Sequence, residues 1–508
     1  MTRLPRIVGL AVLVTSACAT ERGPFTNRMS QAATPYLLRA ARQPVSWQPW
    51  GREVFALAAR LDRPILLYVG ADDCRWCLTM DREVYGDPGL GALIDSLVIP
   101  VRVDRDERPD VAQRYGAEVL ALAGLRGVPL TVFLTPDGAA FFGGTYFPAD
   151  DPVTGRGLRQ ILPEVARSYR EGRETVQRHA MMVQQLALEG APAIHAVLAP
   201  DAISAGIVRI REELTATHPG AGGERGGFVQ TQAVTLLLAE FGRTGDTAAL
   251  QVARNVLDAM IDSGAAAARA TLDEPQEIVR GALARALALA FAFTGEPRYR
   301  DAGLATLRTL VAALDGTTDR PMFADRDGFA IAAALEAAGP LRDSVSERRA
   351  ISALDSLKRR VYARGWGARH TPAGSVDGLL QDQVQLADAC ITAYAVTGRV
   401  RYLSVATSLA AILVRDFAAP QGGFYDTAGR DPVPAAFETR TRSATDELLP
   451  GANAWAARVF LRLAAATGEP QYRRRAEATL EAFAGTVPPQ GLPAASFLTV
   501  ARDALGAH

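Results

Sequence analysis

The chain has 508 residues, and its 55 basic and 55 acidic side chains cancel, so it offers no electrostatic footprint for nucleic acid. At 48% hydrophobic and 22% charged it reads as globular, long enough for two or three domains of ~150 residues that need no disulfide or metal staples. No apolar run reaches the ~18 residues of a spanning helix, which argues against a transmembrane segment in the mature chain.

The first residues differ from the rest. Arg3 and Arg6 precede the apolar stretch Ile7 to Val14, and Thr15-Ser16-Ala17-Cys18 follows. A positive start, a short apolar core and small residues predict an export signal over residues 1–18. Cys18, directly after the small residues, is the expected lipidation site, although Thr15 stands where such signals carry an aliphatic residue. The expected location is extracytoplasmic, periplasmic or at the cell surface, with membrane attachment only through that lipid. Plain secretion and an uncleaved start are the alternatives.

From residue 26 to 190 the pattern is α/β. Arg52 to Leu61 reads as helix, Pro64 to Val69 as an apolar strand, and a helix is expected from Cys77 towards Val84. Leu97 to Val103 is a second expected strand, Val111 to Leu122 a helix, and Leu130 to Leu134 a strand turned by Pro136-Asp137-Gly138 into Ala140-Phe141-Phe142. Arg159 to Leu188 predicts a helix or a broken one.

Residues 200–508 read as helical throughout. Thr244-Gly245-Asp246, Thr294-Gly295-Glu296-Pro297-Arg298-Tyr299, Thr397-Gly398-Arg399-Val400-Arg401-Tyr402 and Thr467-Gly468-Glu469-Pro470-Gln471-Tyr472 each follow one apolar helix and open another. Glycine can close a helix in the left-handed region, proline suits the first turn of the next, and the tyrosine can pack back on the hairpin. About twelve such segments predict six hairpins, closed as an (α/α)6 toroid or left open as a solenoid.

Of four cysteines, Cys390 sits in an apolar helical stretch and reads as core, while Cys74 and Cys77 form a Cys-x-x-Cys pair. Cys74 follows a strand and begins a helix, where amides and the dipole favour a thiolate; Arg75 helps and Asp72 and Asp73 oppose. Cys74 is therefore expected to be the more exposed and more acidic thiol, and Cys77, one turn on, the resolving one. The order strand, Cys-x-x-Cys, helix and later Val128-Pro129 before the strand at Leu130 resembles a thioredoxin-like domain. That resemblance implies a cis bond before Pro129, with the proline facing the cysteines and with Trp76 and Val128 contacting substrate. Half of a zinc site is the competing reading, but His179, His195, His218, His370 and His508 are scattered without a spaced pair. An inert pair is the other. Nothing in the sequence calls for a metal or a cofactor.

Asn27-Arg28-Met29, Thr34-Pro35-Tyr36-Leu37-Leu38, Pro44 to Gly51, Cys74 to Met80, Asp104-Arg105-Asp106-Glu107-Arg108-Pro109-Asp110-Val111 and Phe133 to Pro148 together resemble the spermatogenesis-associated protein 20 family. The resemblance implies a thioredoxin-like domain followed by a six-hairpin, glycosidase-like toroid, and so favours the closed ring. The chain departs from the family at Arg39-Ala40-Ala41-Arg42, Arg75 and Leu78, where histidines are usual, and at Val128, where tryptophan is. Between Ile261 and Glu277 the family's aromatic-His-Phe-Glu stretch is missing, and Gly451 replaces a serine in Pro450-Gly451-Ala452-Asn453.

Sugar hydrolysis needs two opposed carboxylates. Asp382, Asp426, Asp446 and Glu447 lie near expected helix ends, where capping is the competing role. Trp366, Trp455, Phe424 and Tyr425 could stack on sugar rings or serve the core. The sequence thus points first to an exported thiol–disulfide oxidoreductase acting on protein thiols or disulfides, with a toroid groove holding a glycan or peptide. A non-catalytic interaction protein and a carbohydrate-active enzyme are the alternatives.

Overall fold

The computed structural model describes residues 25–32, 34–72, 74–151, 153–189, 194–216, 227–262, 275–315, 322–372, 376–428 and 441–506. The expected signal, Cys18, Asp73 and most of the Ile261-to-Glu277 stretch lie outside them.

The amino-terminal part is built from α1 (Pro35–Ala40), α2 (Arg52–Leu61), β1 (Ile65–Gly70), α3 (Arg75–Glu83), α4 (Pro88–Leu97), β2 (Ile99–Asp104), α5 (Pro109–Ala123), β3 (Leu130–Leu134), β4 (Ala140–Gly144), α6 (Leu158–Glu171) and α7 (Arg173–Glu189). The strands form one sheet in the order β2-β1-β3-β4, with β1 parallel to β2 and antiparallel to β3. Every residue of β1, β2 and β3 is buried, so both faces are covered and the strands read as continuous apolar runs. Alternation divides the core: Leu66 and Tyr68 face α1, α3, α4 and α6, whereas Ile65, Leu67 and Val69 face α2 and α5. This is a thioredoxin-like layer with a helical extension.

Two helices went unforeseen. Thr34 caps α1 by accepting from the Leu37 amide, and Asp87 caps α4 by accepting from Gly89 and Leu90, each with proline at the first helical position. Leu97 consequently ends α4 instead of opening a strand, and β2 starts at Ile99. The expected break in the following helix falls at Gly172, between α6 and α7.

Beyond Pro200 the described residues hold twelve α-helices: α8 (Pro200–Ala216), α9 (Gly227–Thr244), α10 (Thr247–Asp262), α11 (Gln276–Thr294), α12 (Pro297–Leu314), α13 (Ala324–Ala338), α14 (Ser344–Val361), α15 (Leu380–Thr397), α16 (Val400–Ile412), α17 (Ala452–Thr467), α18 (Pro470–Glu481) and α19 (Ala495–Gly506). The helices α9, α11, α13, α15, α17 and α19 each pack on the next, and α19 packs on α9, which closes the ring. These inner helices are buried nearly all round, as α13 and α15 show, while outer ones such as α14 keep a polar face. The architecture is an (α/α)6 toroid, and the open solenoid is ruled out by the α19–α9 contact.

The Thr-Gly turns have a shared mechanism. Gly245, Gly295, Gly398 and Gly468 adopt φ of +75°, +69°, +66° and +73°, and the preceding threonine hydroxyl accepts from the amide two positions on, in Asp246, Glu296, Arg399 and Glu469. Tyr299 and Tyr402 pack back as expected and donate to Asp258 and Asp355 of the preceding hairpin.

Candidate active site

At the carboxyl end of β1 the chain turns through Ala71 and Asp72 into α3. Cys74 is the N-cap of that helix, and its Sγ accepts from the Cys77 amide at 3.1 Å. The two sulfurs are joined in a disulfide, with Cα atoms 5.2 Å apart. The expected difference in exposure is slight: Cys74 is 2% exposed and Cys77 0%. The accessible member of the motif is Trp76, 53% exposed, whose ring lies 5.0 Å from that of Tyr146. Asp72 is neutralised in part by an ion pair with Arg39.

The Val128–Pro129 bond is cis. Leu130 pairs with Val69, which brings Pro129 level with Gly70 at the same end of the sheet. Val128 is half-buried and touches both cores of the domain. Cys74, Cys77 and Val128 thus share one packing cluster, and the strand register sets Pro129 at the same end of the sheet.

Beneath the cysteines lies an unforeseen buried cation. Arg102 of β2 is fully buried and makes two hydrogen bonds to Asp81 of α3, at 2.6 and 2.8 Å. The Tyr36, Tyr68 and Trp47 rings surround its guanidinium, at 4.2, 5.2 and 5.6 Å from their centroids.

The loop after β2 leaves this domain and enters the toroid. Asp106 is buried and ion-paired with Arg105 and with Arg326 in the first turn of α13. His370 donates Nε2–H to the Asp106 carbonyl, and its Nδ1 faces the Asp382 carboxylate at 2.8 Å, on the first turn of α15. Burial opposes a charge on His370, but Asp382 and then Asp325 outweigh it and raise the imidazole to about 10. Burial opposes charge on Asp106 too, yet Arg326 and Arg105 hold it ionised. Asp325, His370 and Asp382 each bring one ligand-type atom within 4.8 Å of the others, but both nitrogens of this imidazole are already engaged. A cavity of about 230 Å³ remains between the domains, lined by Thr34, Tyr36, Asp72, Asp104, Phe323 and Arg326 among others. Asp104 is buried there, and desolvation followed by the Asp106 charge raises its carboxyl to about 7.

The toroid carboxylates are dispersed among structural tasks. Asp382 holds His370. Asp446 accepts from the amides of Gly451 and Ser496 and so ties α17 to α19, and Asp426 accepts from the Ser443 amide. Glu447 is exposed. Trp455 and Phe424 belong to the core, whereas Trp366 is exposed and Tyr425 half-buried. Asn453 bonds both backbone groups of Phe424, fixing the Gly422-Gly423-Phe424 loop.

Residues 26–187 match the family model Thioredox_DsbH, described as a protein of unknown function, DUF255. The amino-terminal third resembles spermatogenesis-associated protein 20. The Homo sapiens protein of that name is 38% identical over 157 residues, which cover 31% of this chain and 20% of its own. Uncharacterized protein B0495.5 of Caenorhabditis elegans is 39% identical over 168 residues, covering 33% and 23%. The matched part therefore spans about a fifth of these relatives. Among solved structures, the Lin0763 protein from Listeria innocua covers 61% of this chain and 98% of its own at 12% identity and a TM-score of 0.46. The GH76A alpha-1,6-mannanase from Salegentibacter sp. HEL1_6 covers 60% and 99% at 16% identity and a TM-score of 0.44. The resemblance read from the sequence motifs holds over the thioredoxin-like domain.

Asp106, Arg102, Tyr36 and Arg326 have structural roles that no motif in the sequence signals, and His370 stands there without a spaced partner. The one available signal was the charged run Asp104-Arg105-Asp106-Glu107-Arg108, too polar for an ordinary turn buried at a junction.

Proposed function

We propose that the chain is a thiol–disulfide oxidoreductase working through Cys74 and Cys77. The observation that carries this reading is the disulfide at the start of α3, with Cys74 Sγ held by the Cys77 amide and the cis Pro129 on the neighbouring strand. A substrate thiolate attacks Cys74 Sγ, the Cys74–Cys77 bond breaks, and the electron pair leaves on Cys77. A second substrate thiolate then attacks the substrate sulfur of the mixed disulfide and releases Cys74, so the substrate dithiol is oxidised and the protein pair reduced. Pro129 and Val128 offer the backbone edge along which a polypeptide lies, and Trp76 the apolar contact. The same exchange run backwards reduces a substrate disulfide.

The test uses the purified full chain and a dithiol peptide. Loss of two peptide thiols per Cys74–Cys77 disulfide, abolished in Cys74→Ala, is the expected result. A peptide that neither loses its thiols to the oxidised protein nor, as a disulfide, is reduced by the dithiol form would overturn the reading.

To the toroid we assign retention of a ligand, a glycan or a peptide, without hydrolysis. Asp382 and Asp446 are committed to His370 and to helix ends, which speaks against an acid–base pair built on either. A glycan screen with both binding and product readouts separates the cases. Turnover abolished by Glu447→Gln would overturn this assignment. Export and lipidation at Cys18 complete the proposal, resting on the pattern of residues 1–18.

A further inference from the structure

Gly70 ends β1 beside the disulfide, and its missing side chain leaves room that the Tyr36 hydroxyl enters. A Cβ on Gly70 would stand 2.1 Å from the Tyr36 hydroxyl oxygen and 3.0 Å from Cys77 Sγ, so oxygen and sulfur border one small space. Tyr36 is fully buried, and its hydroxyl makes no close hydrogen bond among the described residues. Its neighbour Tyr68, whose hydroxyl approaches that of Tyr36, donates to the Cys77 carbonyl at 3.5 Å.

Nothing about this placement is loose. Thr34 caps the helix that carries Tyr36, and the Tyr36 ring lies on the Arg102 guanidinium, which Asp81 holds with two hydrogen bonds. Burial pushes the phenol well above its ordinary range, so it stays protonated. A neutral donor is therefore fixed on the far side of the Gly70 space from the inner sulfur.

We propose that the Tyr36 hydroxyl is the hydrogen-bond donor that receives the charge on Cys77 Sγ when the disulfide opens. The inference rests on the redox reading above. In the opening step the attacking thiolate forms its bond to Cys74 Sγ, and the electron pair of the broken bond settles on Cys77 Sγ. Tyr36 then donates O–H to that thiolate without giving up its proton, which makes Cys77 the better leaving sulfur. In the reverse direction the same bond keeps Cys77 ionised for attack on the mixed disulfide. The other groups around this space are Arg102 and Asp104 on β2, Asp81 on α3, Tyr68 on β1, Tyr85 after α3, and the Arg39–Asp72 pair at the rim. Of these Arg102 supports the thiolate, and Asp81 and Asp104 oppose it.

The test is Tyr36→Phe in the full chain, which keeps the ring over Arg102 and removes only the oxygen. Reduction of the disulfide by dithiothreitol should slow about tenfold, since hydrogen bonds to charged groups are the stronger ones. In a Cys74→Ala background, the pH midpoint for alkylation of Cys77, read by peptide mass, should rise by about one unit in Tyr36→Phe. The midpoint for Cys74 in a Cys77→Ala background should not move. Unchanged reduction rate and Cys77 midpoint overturn the proposal, as does an equal shift at both cysteines, which marks general loosening. A wild-type disulfide inert to dithiothreitol overturns the redox reading itself and the Tyr36 role with it.

Discussion

His370 of the toroid donates to the main-chain carbonyl of Asp106, 264 positions earlier in the thioredoxin-like domain, while its other ring nitrogen faces Asp382. With an acceptor on each side, the ring carries both protons and is an imidazolium. The two domains thus share a buried charge that neither could hold alone.

His370→Asn should therefore cost roughly 3–5 kcal/mol, because it leaves Asp382 buried without its counterion. The sign with pH follows from the raised imidazole. Its contribution is fully present below the unfolded value near 6.5 and fades as pH rises through about 10. Thermal melts of wild type and variant should be farthest apart at pH 6 and converge above pH 10. A constant gap across that window contradicts a charged His370.

Arg102 and Asp81 make a second test of buried charge, inside one domain. Asp81→Asn keeps the shape but strips the Arg102 guanidinium of its anion, with loss of roughly 3–5 kcal/mol. Guanidinium titration monitored by the near-ultraviolet signal of Trp47, Tyr36, Tyr68 and Tyr85 checks this. Replacing Arg102 and Asp81 together by leucine and methionine should recover part of the loss, since no charge is then left unpaired.

In the reduced protein Cys74 should be alkylated before Cys77 at mildly acidic pH. The cause is position, not exposure: Cys74 Sγ accepts from the Cys77 amide at the helix start, whereas Cys77 lies inside the first turn. Peptide mapping after brief iodoacetamide treatment reads the order. Labelling of Cys77 first reverses the assigned roles.

Much of this architecture was legible because its causes are local. Period-two and period-3.6 patterns, the Cys-x-x-Cys after a strand, and four Thr-Gly turns whose hydroxyls and left-handed glycines act within a few residues all show in the sequence. Helix α4 was missed because Asp87-Pro88 looks like a turn and the apolar residues running to Val103 blur into one strand. The junction was illegible for a different reason. His370, Arg326 and Asp106 acquire meaning only when residues hundreds of positions apart meet, and the charged run around Asp106 does not say which partners it finds. Tyr36 stood in a recognised motif, but its relation to Cys77 runs through the absent side chain of Gly70.

The expected lipidation at Cys18 is checked in cells. Cys18→Ser should release the protein from the membrane fraction while leaving the dithiol oxidation of the purified chain within twofold of wild type, since Cys18 is remote in sequence from Cys74. Recovery of unprocessed wild type from the cytoplasm contradicts the assignment.

The contact of α19 with α9 has a consequence for biosynthesis. A ribosome delivers the staves of the barrel in order, and the one that seals it is made after the other eleven. Until then the apolar flanks of α9 and α17 stand open to the surroundings, whereas the sheet domain, complete some three hundred residues earlier, can already have formed. The nascent toroid therefore passes through a stage with an unsealed seam. That seam is where a holdase would bind, and where two half-made chains would trade helices.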